Sequence, residues 1–166
     1  MQGALPFIDR QYVEAAGLAM ALLSATTGFH YEALRVLLRR LYGRHISRPR
    51  VVWLLLVLVT IHGAEVSLYA GAYALGTDVL GIGGLAGGGA HGLADFCYFA
   101  AESYSTLGYG DLVPVGALRL IASVEALNGV LLLTLSGAFL SGMLRDSYQM
   151  EARRGQHGKD TDRPGS

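Results

Sequence analysis

The chain has 166 residues, of which 52% are hydrophobic and 16% are charged, and its mean hydropathy is +0.38. This composition is typical of an integral membrane protein and speaks against a soluble domain. Net charge is zero, yet six arginines lie between residues 35 and 50, and residues 51–118 contain no Lys or Arg. Because apolar runs flank the arginines, they indicate membrane orientation and not nucleic-acid binding.

Three apolar segments are long enough to cross a bilayer. The first covers about residues 12–30 and continues as an increasingly basic helix to residue 41. The second covers about 51–74 and the third about 115–144. At 1.5 Å per residue the third would be roughly 45 Å long, which exceeds a hydrocarbon core of about 30 Å, so we expect it to tilt or protrude.

The arginine-rich connection between the first two segments sets the predicted orientation. The positive-inside rule places it in the cytoplasm, so the second helix runs outward and the third returns to the inside. The C-terminus is then cytoplasmic and the N-terminus extracytoplasmic. We therefore predict a protein that is integral to the cell membrane.

The connection between the second and third segments has two parts. Seven glycines lie within residues 81–92, which predicts a flexible outer loop. The following apolar and aromatic stretch, about residues 91–105, is too short to cross the membrane and predicts a re-entrant half-helix. Asp95 is well placed to cap its start.

Three regions follow from this pattern. Residues 1–50 form an N-terminal transmembrane helix and a basic cytoplasmic linker. Residues 51–144 form the main membrane domain, with an outer helix, a glycine-rich loop, a half-helix and an inner helix. Residues 145–166 form a tail that is predicted to be disordered, because its polar end has no apolar periodicity.

The sequence S-T-L-G-Y-G-D, residues 105–111, directly follows the predicted half-helix. A dehydrated cation needs replacement oxygens, and backbone carbonyls aimed at one axis supply them. Gly108 and Gly110 permit the backbone angles that this requires, and the Thr106 hydroxyl adds an oxygen at the inner end. One such strand forms only one wall, so we expect four copies around a symmetry axis.

Residues 96–142 resemble the pore region of the potassium channel family, with Leu107 in place of the more usual Val in the filter signature. The resemblance implies a small bacterial-type channel with one pore loop per subunit. It covers the second helix, the loop and the third helix; together with the first apolar segment it predicts an all-α membrane protein with three transmembrane helices, a re-entrant pore helix and a filter loop, assembled as a homotetramer among membrane lipids. Its only bound species would be permeant K⁺, coordinated by carbonyls of Thr106, Leu107, Gly108 and Tyr109.

The resemblance extends to residues that flank the filter signature. Glu102 stands where some bacterial members have a glutamate that shares a proton with the aspartate after the filter, which is Asp111 in this chain. Tyr98 and Phe99 lie where many members have two tryptophans, so the aromatic cuff around the filter is present in altered form. Gly129 falls where the inner helix of the family often has its hinge glycine.

Ionisable residues within the predicted spans are functional candidates. His62 and Glu65 are three apart and share one helix face. Counting 1.5 Å per residue from the helix ends places Glu125 at the depth of His62, so we expect these two to meet behind the filter. The three residues are either a proton-sensitive support for the filter or a hydrogen-bonded packing contact. Asn128 is predicted to face the central cavity.

Three functions remain open from the sequence. The first is a potassium-selective channel. The second is a weakly selective cation channel, which Leu107 and the altered aromatic cuff allow. The third is a non-conducting accessory or assembly subunit. An enzyme is not expected, because no set of nucleophile, base and metal ligands converges in the sequence.

Overall fold

The computed structural model describes residues 9–41, 43–44, 47–88 and 92–161, of which 150–161 are described as backbone. This part of the chain is mostly helical. In chain order its elements are α1 Arg10–Leu41, α2 Arg48–Ala74, a π-helical turn Leu75–Val79, β1 Gly83–Ala86, α3 Leu93–Tyr104, β2 Val113–Gly116 and α4 Leu118–Thr161.

Two helices are long and apolar enough to cross a membrane. They are Arg48–Val79, which includes the π-helical turn and has a hydropathy of 2.0, and Leu118–Gln149, at 1.7. They correspond to the second and third predicted segments. Helix α1 has 32 residues, but it is not among the helices that pass this criterion in the described part of the chain. Its crossing of the membrane therefore stays a prediction.

Helix α2 begins and ends with local backbone signals. Pro49 occupies its first turn, where a missing N–H costs nothing and the fixed φ suits a helix. At the other end the helix widens into the π-helical turn, in which the Leu80 N–H donates to the Leu75 carbonyl at 3.0 Å. A Cβ at Gly76 would lie 2.7 Å from a methyl group of Leu118. Glycine therefore lets the start of α4 pack beside the π-helical turn.

Part of the predicted outer loop is a short strand, which corrects the prediction of a flexible loop, while the described part of the chain stays mostly helical. Strand β1 pairs with β2 in antiparallel register, from Gly83 opposite Gly116 to Ala86 opposite Val113. The glycines allow a close backbone approach, since a Cβ at Gly87 would lie 2.1 Å from the Asp111 carbonyl oxygen. Residues 89–91 lie outside the described part.

Helix α4 continues well beyond residue 144, where the sequence predicted its end. It reaches Thr161, so the prediction of a disordered tail is wrong for residues 145–161; residues 162–166 lie outside the described part. Residues 149–154, with the sequence Q-M-E-A-R-R, are all strong helix formers. At 44 residues, α4 is roughly 66 Å long.

Helix α3 packs between α2 and α4, and its aromatic side chains form the centre of the core. Phe96, Phe99 and Tyr104 are buried against Tyr69 and Tyr73 of α2. Helix α1 joins the same core through the small residues Ala15 and Ala19 and lies against both α2 and α4. The first helix is thus an integral part of the subunit's packing.

Candidate functional site

The segment 105–111 leaves the end of α3 and lies on the surface of the subunit. The last turn of the helix uses the first amides of the segment: the Leu107 N–H donates to the Glu102 carbonyl at 2.8 Å, and the Thr106 N–H donates to the Ser103 carbonyl at 3.0 Å. All seven residues from 105 to 111 are exposed. The segment is therefore anchored at its start and open along its length.

Every second residue of this segment has a positive φ. The values are 58° at Thr106, 56° at Gly108 and 81° at Gly110. Thr106 is the one non-glycine residue with positive φ in the part of the chain that the structure describes. For a β-branched residue this costs roughly 1–2 kcal/mol, and such strain concentrates at functional sites. A Cβ at either glycine would meet no atom within 4 Å. Glycine is therefore required there by the positive φ and not by a lack of space for a side chain.

Two tyrosines brace the outer end of the segment. The rings of Tyr98 and Tyr109 are stacked, with centroids 6.5 Å apart and planes inclined by 4°. The Tyr98 hydroxyl also donates to Asp111 Oδ1 at 3.2 Å. Tyr98 therefore connects helix α3 to two residues of the segment.

Glu102 of α3 binds the backbone of the segment 105–111. Its side chain is buried, and its Oε2 accepts the Tyr109 N–H at 3.2 Å. Burial raises the pKa of Glu102; the Tyr109 N–H lowers it and the nearby Asp111 charge raises it again, leaving a net upward shift. Glu102 and Asp111 each bind a different partner, so their predicted proton sharing stays a prediction.

Gly129 marks the closest approach of α4 to the end of α3. A Cβ at this position would lie 2.0 Å from the Tyr104 carbonyl oxygen. Only glycine fits, because no other side chain leaves room for the two backbones. The hinge role that the resemblance implied stays a prediction beside this packing role.

Asn128 does not face a cavity, which corrects its predicted placement. Its side chain is 1% exposed. Its amide nitrogen donates to Thr26 Oγ1 at 2.7 Å and to the Tyr69 hydroxyl at 3.1 Å, and its Oδ1 accepts from Thr27 Oγ1 at 3.3 Å. A buried amide needs such partners, and helix α1, whose position the sequence left open, supplies two of them.

His62 and Glu125 do not meet, so that predicted contact is wrong. Glu125 is buried and accepts a hydrogen bond from the Tyr73 hydroxyl. Tyr73 lies eleven residues beyond His62, or roughly 16 Å along the helix. The predicted depths assumed that both helices just span a hydrocarbon core of about 30 Å. Helix α2 with its π-helical turn has 32 residues and is about 48 Å long, so depths measured from opposite helix ends do not coincide.

His62 and Glu65 do meet, within a larger buried group that we call the histidine cluster. His62 Nδ1 lies 3.1 Å from Glu65 Oε2, and His30 Nδ1 lies 2.9 Å from Glu65 Oε1. The other members are the Tyr104 hydroxyl, which donates to Glu65, and Ser136 Oγ, which contacts both histidines. Sequence analysis missed His30, Tyr104 and Ser136. An ionisable residue in the first apolar segment was the available signal for His30.

Comparison with known protein families gives a match. A family model described as "Ion channel" matches residues 54–146, which is more than half of the chain. The match begins in α2 and ends in α4, so it includes α3, the exposed segment 105–111 and the residues that brace it. No curated protein and no solved structure matches the chain.

Proposed function

The chain belongs to the ion channel family, and from this premise we propose that it is one subunit of a homotetrameric potassium-selective channel. Family membership and two apolar helices make it a membrane protein. In the proposal, K⁺ moves passively through a filter formed by Thr106, Leu107, Gly108, Tyr109 and Gly110. No covalent chemistry and no cofactor are involved.

The alternation of φ along the filter is the observation that carries this proposal. Alternating left-handed and ordinary residues allow successive peptide groups to turn toward the same side of the chain. Carbonyl oxygens in a row replace the water that a dehydrated K⁺ loses. The C-terminal end of α3 lies beside the filter, and its partial negative charge favours a cation there.

Apolar residues on α4 support an assembly of several copies. Leu127 and Leu131 are 70% and 66% exposed in the single subunit, and the filter residues are exposed as well. An exposed apolar face in this region fits either lipid or neighbouring subunits. We propose that the filter side of α4 packs against other copies around a fourfold axis, while lipid covers the outside.

The proposed orientation follows the charge distribution. The arginine-rich connection between α1 and α2 and the end of α4 lie in the cytoplasm, and α1 begins outside as a third span. Strands β1 and β2 then lie at the outer surface of the cell membrane. The filter opens next to them, since β2 begins two residues after Asp111.

Ion flux into liposomes tests the proposal. Purified protein is reconstituted and given first a K⁺ gradient and then a Na⁺ gradient. Flux of K⁺ alone supports the proposal, flux of both ions supports a weakly selective cation channel, and absence of flux supports an accessory subunit. Gly108→Ala should abolish selective flux, because alanine is strained at a φ of 56°. Gly63→Ala, an exposed helical position with open space, is the matched control.

A further inference from the structure

The histidine cluster lies inside the subunit and has no part in the proposed conduction. It joins all four α-helices: His30 comes from α1, His62 and Glu65 from α2, Tyr104 from α3 and Ser136 from α4. We propose that this cluster is a binding site for a divalent transition metal ion of the Zn²⁺ type. Its protein ligands are His30 Nδ1, His62 Nδ1 and a Glu65 carboxylate oxygen, and the fourth position is left to a water molecule beside the Tyr104 hydroxyl.

The distances between these ligand atoms suit a small tetrahedral ion. The ligand atoms of His30, His62 and Glu65 all lie within 4.8 Å of one another. His62 Nδ1 is also 2.9 Å from the Tyr104 hydroxyl. Zinc binds nitrogen and oxygen at roughly 2.0–2.1 Å, which places tetrahedral ligands about 3.3 Å apart. The contacts of 2.9 Å and 3.1 Å between the two imidazoles and Glu65 therefore need to open by only a few tenths of an ångström.

The contacts of Ser136 suit a metal ion bound to the two histidines. Ser136 Oγ lies 3.0 Å from His62 Nε2 and 3.2 Å from His30 Nε2. A hydroxyl has one hydrogen and two acceptor lone pairs, so Ser136 Oγ can accept hydrogen bonds from both imidazoles. If a metal occupies both Nδ1 atoms, both Nε2 atoms carry hydrogen and donate to Ser136 Oγ. This is the arrangement that metal-bound histidines usually have.

The charge of Glu65 gives a second reason. Its side chain is fully buried, and two imidazoles and a phenol contact its carboxylate. None of these groups is a permanent cation, and an uncompensated buried carboxylate is costly. A divalent ion supplies the missing charge. Two imidazoles with oxygen ligands suit Zn²⁺ and its neighbours better than Mg²⁺ or Ca²⁺.

An ion can reach the cluster from the side of His62. The side chain of His62 is 14% exposed, whereas those of His30 and Glu65 are fully buried. Tyr104 ends α3 two residues before Thr106, so a bound ion would tie the base of the filter to the three long helices. Metal binding itself requires only the folded subunit, so it can be tested whether or not the chain selects potassium.

Metal titration of the untagged full-length protein tests the proposal. Protein in detergent is dialysed against Zn²⁺, and bound metal is counted by mass spectrometry. We expect one ion per chain, and an affinity at least roughly 100-fold lower in His30→Gln and His62→Gln. Ser136→Ala should bind roughly 10–100-fold more weakly, as expected for loss of an outer partner. Asn128→Ala, which removes another buried polar contact between α1 and α4, should bind like the wild type.

A spectroscopic measurement on the wild type keeps the proposal falsifiable if the histidine variants do not fold. Co²⁺ should give the intense visible absorption of a four-coordinate site, and X-ray absorption of the Zn²⁺ form should show two imidazoles. Absence of bound metal, a six-coordinate Co²⁺ spectrum or unchanged binding in folded His30→Gln and His62→Gln would overturn it.

Discussion

The proposed filter, residues 106–110, and the histidine cluster are two polar regions built in opposite ways. The filter uses the backbone of consecutive residues, and its larger residues are exposed on the surface of the single subunit. Leu107 is 56% exposed and Tyr109 is 68% exposed. The cluster uses side chains from four helices and is enclosed by them. A change at the filter should therefore affect ions more than folding, and a change in the cluster should affect folding first.

The largest predicted effect comes from removing the charge at the centre of the cluster. Glu65→Ala leaves His30, His62 and Tyr104 without their common partner, and breaking a buried polar network of this kind costs about 3–5 kcal/mol. The free energy of unfolding in detergent, measured by circular dichroism without added metal, should fall by that amount. Glu32→Ala is the control, because the Glu32 side chain is 53% exposed and pairs with Arg35 at the surface. Equal effects of the two changes would contradict the comparison.

The close backbone contact between α4 and the end of α3, just before the filter, should give the next largest effect. Gly129→Ala introduces a Cβ 2.0 Å from the Tyr104 carbonyl oxygen, and relief of the clash requires α3 and α4 to separate. Overpacking of this kind costs about 3 kcal/mol. Gly137→Ala on the same helix has open space within the subunit and should change stability by less than about 1 kcal/mol. Similar unfolding curves for the two variants would refute the close approach.

These two regions also differ in how far the sequence could predict them. The filter motif is contiguous, so residues 105–111 and the helix before them were evident from the chain alone. The spans 51–74 and 115–144 were also evident, because their apolar runs are continuous. Only part of the cluster could be predicted. His62 and Glu65 are neighbours on one helix, whereas the contacts of His30 and Ser136 depend on where α1 packs. No local pattern specifies that packing.

The errors in depth and in the tail share a physical cause. Residues beyond the apolar spans still favour a helix. Helix α4 therefore extends to Thr161, and α2 continues as a π-helical turn to Val79. Hydropathy locates the part of a helix that suits lipid but does not fix where the helix ends. The wrong pairing of His62 with Glu125 followed from this. The strand β1 was missed because its glycines are typical of loops and only the partner β2 makes the pairing visible.

A smaller effect is expected at the outer brace of the filter. Tyr98→Phe keeps the ring that stacks on Tyr109 but removes the hydrogen bond to Asp111. The loss should cost about 1 kcal/mol or less in unfolding free energy, while the ratio of K⁺ to Na⁺ flux changes measurably. Tyr148→Phe removes the hydroxyl of an exposed tyrosine on α4 and is the control. A stability change without any change in flux ratio would place Tyr98 outside the conduction machinery.

The smallest effect concerns the pH dependence that Glu102 gives to folding. Its pKa is raised in the folded chain, chiefly by burial. The protonated form is therefore favoured on folding, and its stabilising contribution is complete below the unfolded pKa and lost as pH rises through the folded pKa. Wild-type melting temperature should fall over this interval, just above the ordinary range of glutamate, whereas Glu102→Gln should give a flatter curve. Parallel curves for the two proteins would contradict the upward shift and mean that the Tyr109 N–H, which favours the ionised form, balances the cost of burial.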